Sequence, residues 1–508
     1  MPLGVIQCSG IIRMLLFAGL VCAASLSTAL AADVDVPLQS SEDPRSPTVE
    51  NLDRQLEDLK RRLDAIQSTP EPASTTQSPE AIAPSTLQEL KRRMNVLESL
   101  ALGTSHTRGL IERGPGWSSK SGFFLQSNDG NFFLSLRGYV QADYTAHSGK
   151  QTGLEPGTFP DTFNARRMRV FNSGRIFRQI RFEIAGDFAP HNNNLYNVFV
   201  EWDYFNWARV RVGEFKPGVN IEMTQSAVDL HFIERSLVQN LAPRRDYGVQ
   251  LSGRFFRQMF RYELGAFNGS PVGPNNNPQL SFSGDKTLAA RLMLTPFATS
   301  GPAAFRELDF GFAFTNGIIR NQTGQQGMLT QAQDRTVFQY NANVTGDGVQ
   351  SLFLPFMRWY WGRFGMMSVF ARRIEREKNL STGTSAALHF EAWEAQASFL
   401  LTDDQASFSW VDPKKPFKFS KPGYWGAIEL AARYSELRVD QAAFALDMAD
   451  ITNNPAKTKA LSVGLNWYLN NNVKMQMHWE HNDFNGAGPR YTAAGTLDSL
   501  IYRVTLVF

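Results

Sequence analysis

The chain has 508 residues, of which 43% are hydrophobic and 19% charged, and its formal net charge is +3. Mean hydropathy is −0.28, and no apolar run of about 18 residues follows the N-terminal region, which excludes a helical membrane protein. Aromatic residues make up 12% of the chain. Soluble core aromatics would explain them, but several lie near predicted strand ends, where the aromatic girdle of a membrane barrel sits. These are Trp202, Tyr204, Trp207, Trp359, Tyr360 and Trp361.

Residues 1–31 have the composition of a secretory signal peptide. Arg13 supplies a positive charge, an apolar core begins at Met14, and alanines at 29 and 31 offer small residues for cleavage. We therefore predict export, and together with the barrel pattern described below this indicates a Gram-negative outer membrane. Cys8 and Cys22, the two cysteines, both lie in this leader. The mature chain would then have no disulfide and no thiolate site.

Residues 32–112 predict two coiled-coil segments joined by a Pro/Ser/Thr-rich linker at 68–85. Apolar residues recur at steps of three and four along each segment: Val49, Leu52, Leu56, Leu59, Leu63 and Ile66, then Leu87, Leu90, Met94, Leu97 and Ala101. Isolated helices of this length are marginally stable in water. They would either associate into an oligomer or lie as amphipathic helices on another partner.

Residues 113–508 predict a transmembrane β-barrel. From about Gly122 the apolar pattern changes to period two, as in 180–188, where Ile180, Phe182 and Ile184 share one face. We mark seventeen such stretches. Bacterial single-chain barrels have even strand numbers, so one stretch is expected to be wrong. The predicted fold is an all-β, antiparallel, up-and-down barrel of about 16 strands, with about 18 as the next choice.

The same alternation directs a set of arginines into the barrel. This inward set comprises Arg137, Arg167, Arg169, Arg181, Arg209 and Arg211. Guanidinium groups hold oxyanions through fixed donor forks, so a row of them favours anions in a water-filled lumen. Acids such as Glu183, Asp187 and Glu201 would also point inward. Each arginine therefore has two interpretations, a pore-lining role or a structural ion pair.

Four motifs in register give the chain a family resemblance. They are RVRVGEFKP at 209–217, FIERSLV at 232–238, LAPRRDYGV at 241–249 and GAFNG at 265–269. Together they closely resemble the phosphate-selective porin O and P family. The resemblance implies an outer-membrane barrel of about 16 strands, embedded in outer-membrane lipid, that assembles as a homotrimer and carries an inward-folded loop. It does not by itself transfer phosphate selectivity.

Residues 217–243 are the candidate constriction loop, because this connection is too long for a turn and follows an arginine-rich strand. Its charged residues are Glu222, Asp229, His231, Glu234 and Arg235. Lys216 precedes the loop, and Arg244 and Arg245 follow it. We predict that these three basic residues also bind anions. The expected partners are thus small anionic solutes, possible examples being phosphate and other oxyanions.

Other function classes have little support in the sequence. No serine lies in a G-x-S-x-G context, and no phosphate loop or dinucleotide fingerprint occurs, so we predict neither an enzyme nor a cofactor. His478 and His481 would point to opposite faces of a strand, which argues against a shared metal ion. The basic residues lie on barrel strands, which gives no support to nucleic-acid binding. A plugged barrel with a structural or adhesive role remains the alternative.

Overall fold

The structure, a computed structural model, describes residues 116–118, 122–148, 161–190, 194–269, 284–320, 327–332, 335–486 and 495–508. The chain divides into two compact units, residues 1–106 and 107–508, and all described residues belong to the second. The predicted signal peptide and coiled-coil segments lie outside the described residues. Among those residues, no helix is both long enough and apolar enough to cross a membrane.

Sixteen antiparallel strands form a closed barrel, which confirms the predicted fold class. The barrel strands are β3 (Phe132–Ser148), β4 (Thr162–Ile176), β5 (Ile180–Asp187), β6 (Asn194–Phe205), β7 (Ala208–Phe215), β8 (Asp246–Phe255), β9 (Phe260–Phe267), β10 (Thr287–Leu294), β11 (Asp309–Arg320), β14 (Val344–Trp361), β15 (Phe364–Asn379), β16 (Ser385–Leu400), β17 (Ala427–Arg438), β18 (Lys457–Tyr468), β19 (Val473–Asn485) and β20 (Gly495–Val507). Each pairs with the next, and β20 closes the barrel on β3, where Thr505 lies opposite Gln141.

Four further strands stand outside this count. β1 (Gly116–Ser118) pairs with β2 (Gly122–Gln126), and β2 pairs with the first part of β3. β12 (Met328–Leu329) and β13 (Thr336–Phe338) form a small separate sheet. The sequence pattern predicted none of these four, because each is too short to show a period.

One of the seventeen predicted stretches, 338–344, is wrong as a barrel strand. β13 ends at Phe338 and β14 begins at Val344. The side chains of Phe338 and Tyr340 are buried with Phe390 of β16 in the core inside the barrel. An apolar alternation therefore arose here from packing in the interior and not from contact with lipid.

The two faces of the barrel wall differ as the alternation predicted. Ile184, Phe188 and Leu506 are exposed on the outside, where lipid would cover them. Exposed aromatic side chains gather where short turns join the strands, among them Trp202, Tyr204, Trp207 and Trp361. Tyr360 is an exception to the predicted girdle, because its side chain points inward and is buried.

The two rims of the barrel have different connections. At one rim, the short-turn end, most strands are joined by a few residues, such as 177–179 or 469–472. The opposite rim, the long-loop end, carries the longer connections, including 216–245 and 439–456 with the short helix α2 (Ala442–Ala445). Residues 401–426, which join β16 to β17, are a long connection at the short-turn end. In outer-membrane barrels the short turns face the periplasm.

The connection 216–245, here called the lumen loop, folds into the barrel. It contains a one-turn helix, α1 (Ile221–Thr224), and a 3-10 helix at Leu237–Leu241. Its apolar side chains, such as Ile221, Leu237 and Leu241, are fully buried against inward residues of β14–β16, including Leu352 and Phe390. The lumen loop thus fills the β14–β20 side of the interior, which we call the filled side.

Candidate functional site: the arginine-lined lumen

A cavity of about 610 Å³ remains on the other side of the interior, the open side, formed by β3–β10 and one face of the lumen loop. Ten basic side chains line it: Arg137, Arg169, Arg181, Arg209, Arg211, Lys216, Arg245, Arg254, Arg261 and Arg291. The lining has three acidic side chains, Glu183, Glu201 and Glu263. The cavity wall therefore has a strong excess of positive charge.

Ion pairs neutralise part of this charge. Glu201 accepts from two arginines, Arg181 at 2.8 Å and Arg211 at 2.5 Å. Glu183 lies 3.3 Å from Arg137. Each acid is thereby held by cationic neighbours, and Glu201 leaves one of its two arginine charges uncompensated.

Arg209, Arg254 and Lys216 are cavity cations with no carboxylate within 4.0 Å among the residues that the structure describes. The Nε of Arg209 is buried and has no hydrogen-bond partner in that part of the chain. The Nζ of Lys216 donates to two backbone carbonyls, those of Met223 at 2.5 Å and Gln225 at 3.3 Å, and burial lowers the pKa of Lys216 well below its ordinary value. Arg209 and Arg254 are therefore the strongest candidates for contact with an anion.

Aromatic rings hold several guanidinium groups in place. Tyr196 lies between two of them, with Arg169 at 3.7 Å and Arg245 at 3.1 Å from the ring centre. Arg169 is fixed further by Asp187 at 2.7 Å and by the hydroxyl of Tyr139 at 2.7 Å. Stacking of this kind restrains the side chain while its outer N–H groups stay available.

The lumen loop is attached to the barrel wall through Glu234. This buried carboxylate lies 2.9 Å from Arg166, 2.6 Å from Arg167 and 2.9 Å from Arg503. Burial alone would raise the pKa of Glu234, but the three guanidinium groups outweigh it and hold the pKa well below its usual range. Glu234 is therefore ionised at neutral pH and joins β4 and β20 to the loop.

Other charged loop residues also face protein. The Glu222 carboxylate accepts from the backbone N–H and hydroxyl of Ser236 and pairs with Arg433 at 3.2 Å. His231 contacts the Glu429 carboxylate through Nδ1 at 2.9 Å and the Tyr360 hydroxyl through Nε2 at 3.2 Å. These contacts join the loop to β14 and β17 on the filled side.

Asp229 and Arg235 complete the predicted loop set. Asp229 accepts from the backbone N–H of Trp410 at 3.0 Å, which ties the lumen loop to the 401–426 connection. Arg235 donates to the carbonyls of Glu222 and Gln225 and so bridges the loop internally. Asp229 thus holds the loop to a neighbouring connection, and Arg235 stabilises the loop internally.

Cationic side chains from the barrel wall bind the loop backbone. Lys474 donates to the carbonyls of Val228 and Leu230, at 2.6 and 3.1 Å. Arg503 donates to the carbonyl of Ile233 at 2.5 Å, and Arg433 to that of Glu234 at 3.0 Å. The backbone of the loop is thus held by groups that do not belong to it.

The charged residues predicted for the constriction do not line the cavity. Glu222, Asp229, His231, Glu234 and Arg235 all point away from it. Between Lys216 and Arg245 at its two ends, the loop contributes small or apolar residues to the wall: Gly218, Thr224, Ser226, Ala227 and Val228. Inward arginines pair with Glu222 and Glu234, and Glu429 contacts His231, so these charged side chains of the loop lie against the barrel wall.

Two predicted pore arginines also lie elsewhere. Arg167 is buried against Glu234 and Gln141, and Arg244 donates to Gln239 of the loop at 3.1 Å. Neither lines the cavity. In the structure Arg167 forms an ion pair with Glu234. The other predicted basic residues line the cavity: Arg137, Arg169, Arg181, Arg209, Arg211, Lys216 and Arg245.

Three cavity arginines were missed, although the same alternation contains them. Arg254, Arg261 and Arg291 lie on the inward faces of β8, β9 and β10. Arg254 and Arg261 are directly opposite each other in the strand register. Applying the period-two rule to every strand would have found them.

No group of metal-ligating side chains occurs within the described ranges. His478 is buried inside the barrel, while His481 pairs with Asp498 on the outer face at 2.9 Å, so the two point to opposite faces as predicted.

The model of the family "Phosphate-selective porin O and P" matches residues 134–496, which is most of the barrel. The chain belongs to this family. The porin is also 23% identical over 386 residues to Porin O of Pseudomonas aeruginosa, which covers 70% of this chain and 84% of that protein. Family and fold indicate a channel protein of a Gram-negative outer membrane and not an enzyme.

The solved structures that resemble this porin have low sequence identity to it. The channel DcaP of Acinetobacter baumannii has a TM-score of 0.49 at 9% identity and covers 76% of this chain and 99% of its own. OmpT of Vibrio cholerae has a TM-score of 0.46 at 8% identity, and the match covers 76% of this chain and 100% of OmpT. An anion-selective porin from Comamonas acidovorans has a TM-score of 0.45 at 10% identity, and the match covers 74% of this chain and 100% of that porin.

Proposed function

We propose that this porin passes small anionic solutes, with phosphate and other oxyanions as the leading candidates. The observation that carries the proposal is the cavity wall, where ten basic side chains face three acidic ones. An excess of positive charge along a narrow aqueous path lowers the free energy of anions there and raises that of cations.

The neutral face of the lumen loop strengthens this proposal. Thr224, Ser226 and Val228 carry no charge, so the loop narrows the lumen without an acidic surface opposite the arginines. The transverse field of acid facing base, which is typical of general diffusion pores, is therefore weak on this side. Anions passing the loop would meet guanidinium groups that are already oriented by Tyr196 and Phe199.

The test is the reversal potential of the full chain in a planar bilayer under a salt gradient. We expect anion preference in the wild type and a roughly twofold or larger loss of the anion-to-cation permeability ratio in the double variant Arg209→Gln/Arg254→Gln. The matched control, Arg320→Gln/Arg372→Gln, removes two charges outside the cavity and should leave the ratio unchanged. An unaltered reversal potential in the first variant would contradict the proposal.

Measuring the chloride current in the presence of phosphate tests whether phosphate is a solute of this porin. If phosphate binds the cavity, adding it should reduce the chloride current more in the wild type than in Arg209→Gln/Arg254→Gln. A correctly folded barrel that shows no stepwise openings would instead favour the structural or adhesive alternative.

The proposed partners are outer-membrane lipid and two further copies of this chain. The apolar outer wall supports contact with lipid, and the homotrimer follows from the family resemblance. Native mass spectrometry in detergent measures the assembly. Deleting residues 49–101 would show whether the predicted coiled-coil segments set it, because an unchanged oligomer mass would remove them from that role.

A further inference from the structure

The 401–426 connection at the short-turn end has two parts with different surroundings. Its first part enters the barrel, where Ala406 and Val411 are buried beside Tyr360 and Tyr468. Its second part, residues 414–426, returns to the rim, and we call it the basic rim segment. It contains Lys414, Lys415, Lys418 and Lys421, four aromatic residues and no acid.

The basic rim segment is fixed to the outer side of the wall. The ring of Phe417 lies 5.3 Å from that of Trp467, which shares the outer face of β18 with the exposed Val463. The indole N–H of Trp467 donates to the carbonyl of Trp425 at 2.6 Å. The segment is therefore continuous with the surface of the barrel that lipid covers.

Internal hydrogen bonds give the segment a defined shape. The N–H of Lys418 donates to the carbonyl of Tyr424 at 3.0 Å, and that of Gly426 to Lys415 at 2.9 Å. Pro416 and Pro422 restrict the backbone further. A preorganised segment loses less conformational entropy when it binds.

Charged and exposed aromatic side chains alternate along the basic rim segment. Phe419 is 97% exposed and Trp425 61% exposed. The ammonium groups of Lys418 and Lys421 lie 5.3 and 4.3 Å from the ring centre of Tyr424. Lys414 has two acidic neighbours: its side chain lies 3.3 Å from that of Asp403, both being exposed to solvent, and its backbone N–H donates to the Asp404 carboxylate at 2.7 Å. Exposed aromatic rings beside unshielded lysines are typical of surfaces that lie at a membrane interface.

We propose that the basic rim segment binds the phosphate headgroups of anionic phospholipids in the periplasmic leaflet. Its position at the short-turn end places it at that leaflet, and its contact with Trp467 makes it an extension of the lipid-covered wall. Phe419 and Trp425 enter the headgroup region, while the lysines bind phosphate. This lipid site is separate from the lumen and does not depend on the proposed anion transport.

The first test is lipid selection by the detergent-solubilised full chain. The protein is incubated with equal amounts of phosphatidylglycerol and phosphatidylcholine, washed, and the retained lipids are measured by mass spectrometry. We expect phosphatidylglycerol to be enriched in the wild type. Because each lysine near an anionic surface changes partition by roughly fivefold at low salt, replacing all four lysines by glutamine should reduce the enrichment by about fivefold or more.

The control variant Lys286→Gln/Arg320→Gln/Arg372→Gln/Arg376→Gln removes the same charge at the opposite half of the barrel, and it should keep the enrichment. Equal phosphatidylglycerol retention by the wild type and the four-lysine variant would overturn the proposal. So would binding to peptidoglycan or to an acidic protein with no preference between the two lipids. Reversal potentials of both variants report on the lumen separately.

A second measurement tests directly whether the basic rim segment lies at the lipid headgroups. In a Cys8→Ser/Cys22→Ser background, Ser420→Cys provides a single site for a fluorophore. We expect nitroxide headgroup lipids to quench it in nanodiscs that contain phosphatidylglycerol, and high salt to weaken the quenching. A fluorophore that stays unquenched would contradict the proposal even if the lipid-selection result were positive.

Discussion

Inward arginines occur on both sides of the barrel interior, but their surroundings differ. On the open side, Arg209 and Arg254 face a cavity, with no acid within ion-pair distance among the described residues. On the filled side, Arg433 and Arg503 are buried and bind Glu222, Glu234 and loop carbonyls. Inward arginines therefore serve two purposes, and contact with the lumen loop determines which one.

The largest expected effect comes from breaking the attachment between the two sides. Glu234→Ala leaves Arg166, Arg167 and Arg503 without their shared carboxylate, and breaking such a buried pair costs about 3–5 kcal/mol. We expect a lower unfolding temperature and larger, noisier single-channel currents, because the loop is no longer held to the barrel wall by these ion pairs. Thermal unfolding and bilayer recording measure the two effects.

Glu183→Ala is the matched control, since its partner Arg137 is 45% exposed and can be hydrated. It should change stability far less than Glu234→Ala. A similar loss of stability in both variants would show that the buried ion pairs of Glu234 have no special role.

Low pH should weaken the contact of Glu234 with its three arginines in the wild type. Because the folded-state pKa of Glu234 lies well below its usual range, its contribution to stability is fully present above pH about 4.5 and is lost as the pH falls through the folded value. Hydrogen exchange of the loop should therefore increase in strongly acidic buffer. A Glu234→Gln variant should lack this transition, and an identical acid response in both proteins would contradict the assignment.

A bulky side chain on the neutral face of the loop should narrow the open side alone. Ser226 lines the cavity, so Ser226→Trp should lower single-channel conductance by about half, as expected when a constriction loses cross-section. Thr382→Trp, in the exposed turn between β15 and β16, serves as the control. Equal conductance in both variants would place the narrowest point elsewhere.

The smallest effect is expected at exposed ion pairs. Arg320 pairs with Asp285 at 3.1 Å, and its side chain is 64% exposed. Such pairs contribute roughly 0–1 kcal/mol, so Arg320→Gln should leave the unfolding temperature almost unchanged. A marked loss of stability would show that this rim is more tightly coupled to the barrel than its exposure suggests.

The barrel itself was predictable from sequence, because the period-two rule reports which residues face lipid. It found all sixteen barrel strands and directed Arg181 inward and Ile184 outward. It erred at 338–344, where apolar side chains such as Phe338 pack inside the barrel. Alternation distinguishes two faces of a strand, but it does not show whether lipid or protein covers the apolar one.

Which inward arginines line the cavity was predictable only in part, because alternation does not show what covers an inward side chain. The pattern placed Arg167 and Arg209 alike inside the barrel, yet one is buried under the loop and the other lines the cavity. That difference depends on contacts between segments far apart in sequence, such as Arg503 with Glu234. The 401–426 connection was missed because its prolines and lysines carry no period.

The carbonyl contacts of the lumen loop have a consequence for how pore specificity can change. Lys474, Arg433 and Arg503 hold main-chain oxygens, which every amino acid supplies alike. Substitutions at Thr224, Ser226, Ala227 and Val228, which line the cavity, can therefore change the width and polarity of the lumen while these backbone contacts stay in place. A design library confined to those four positions would sample new permeation filters on one constant scaffold.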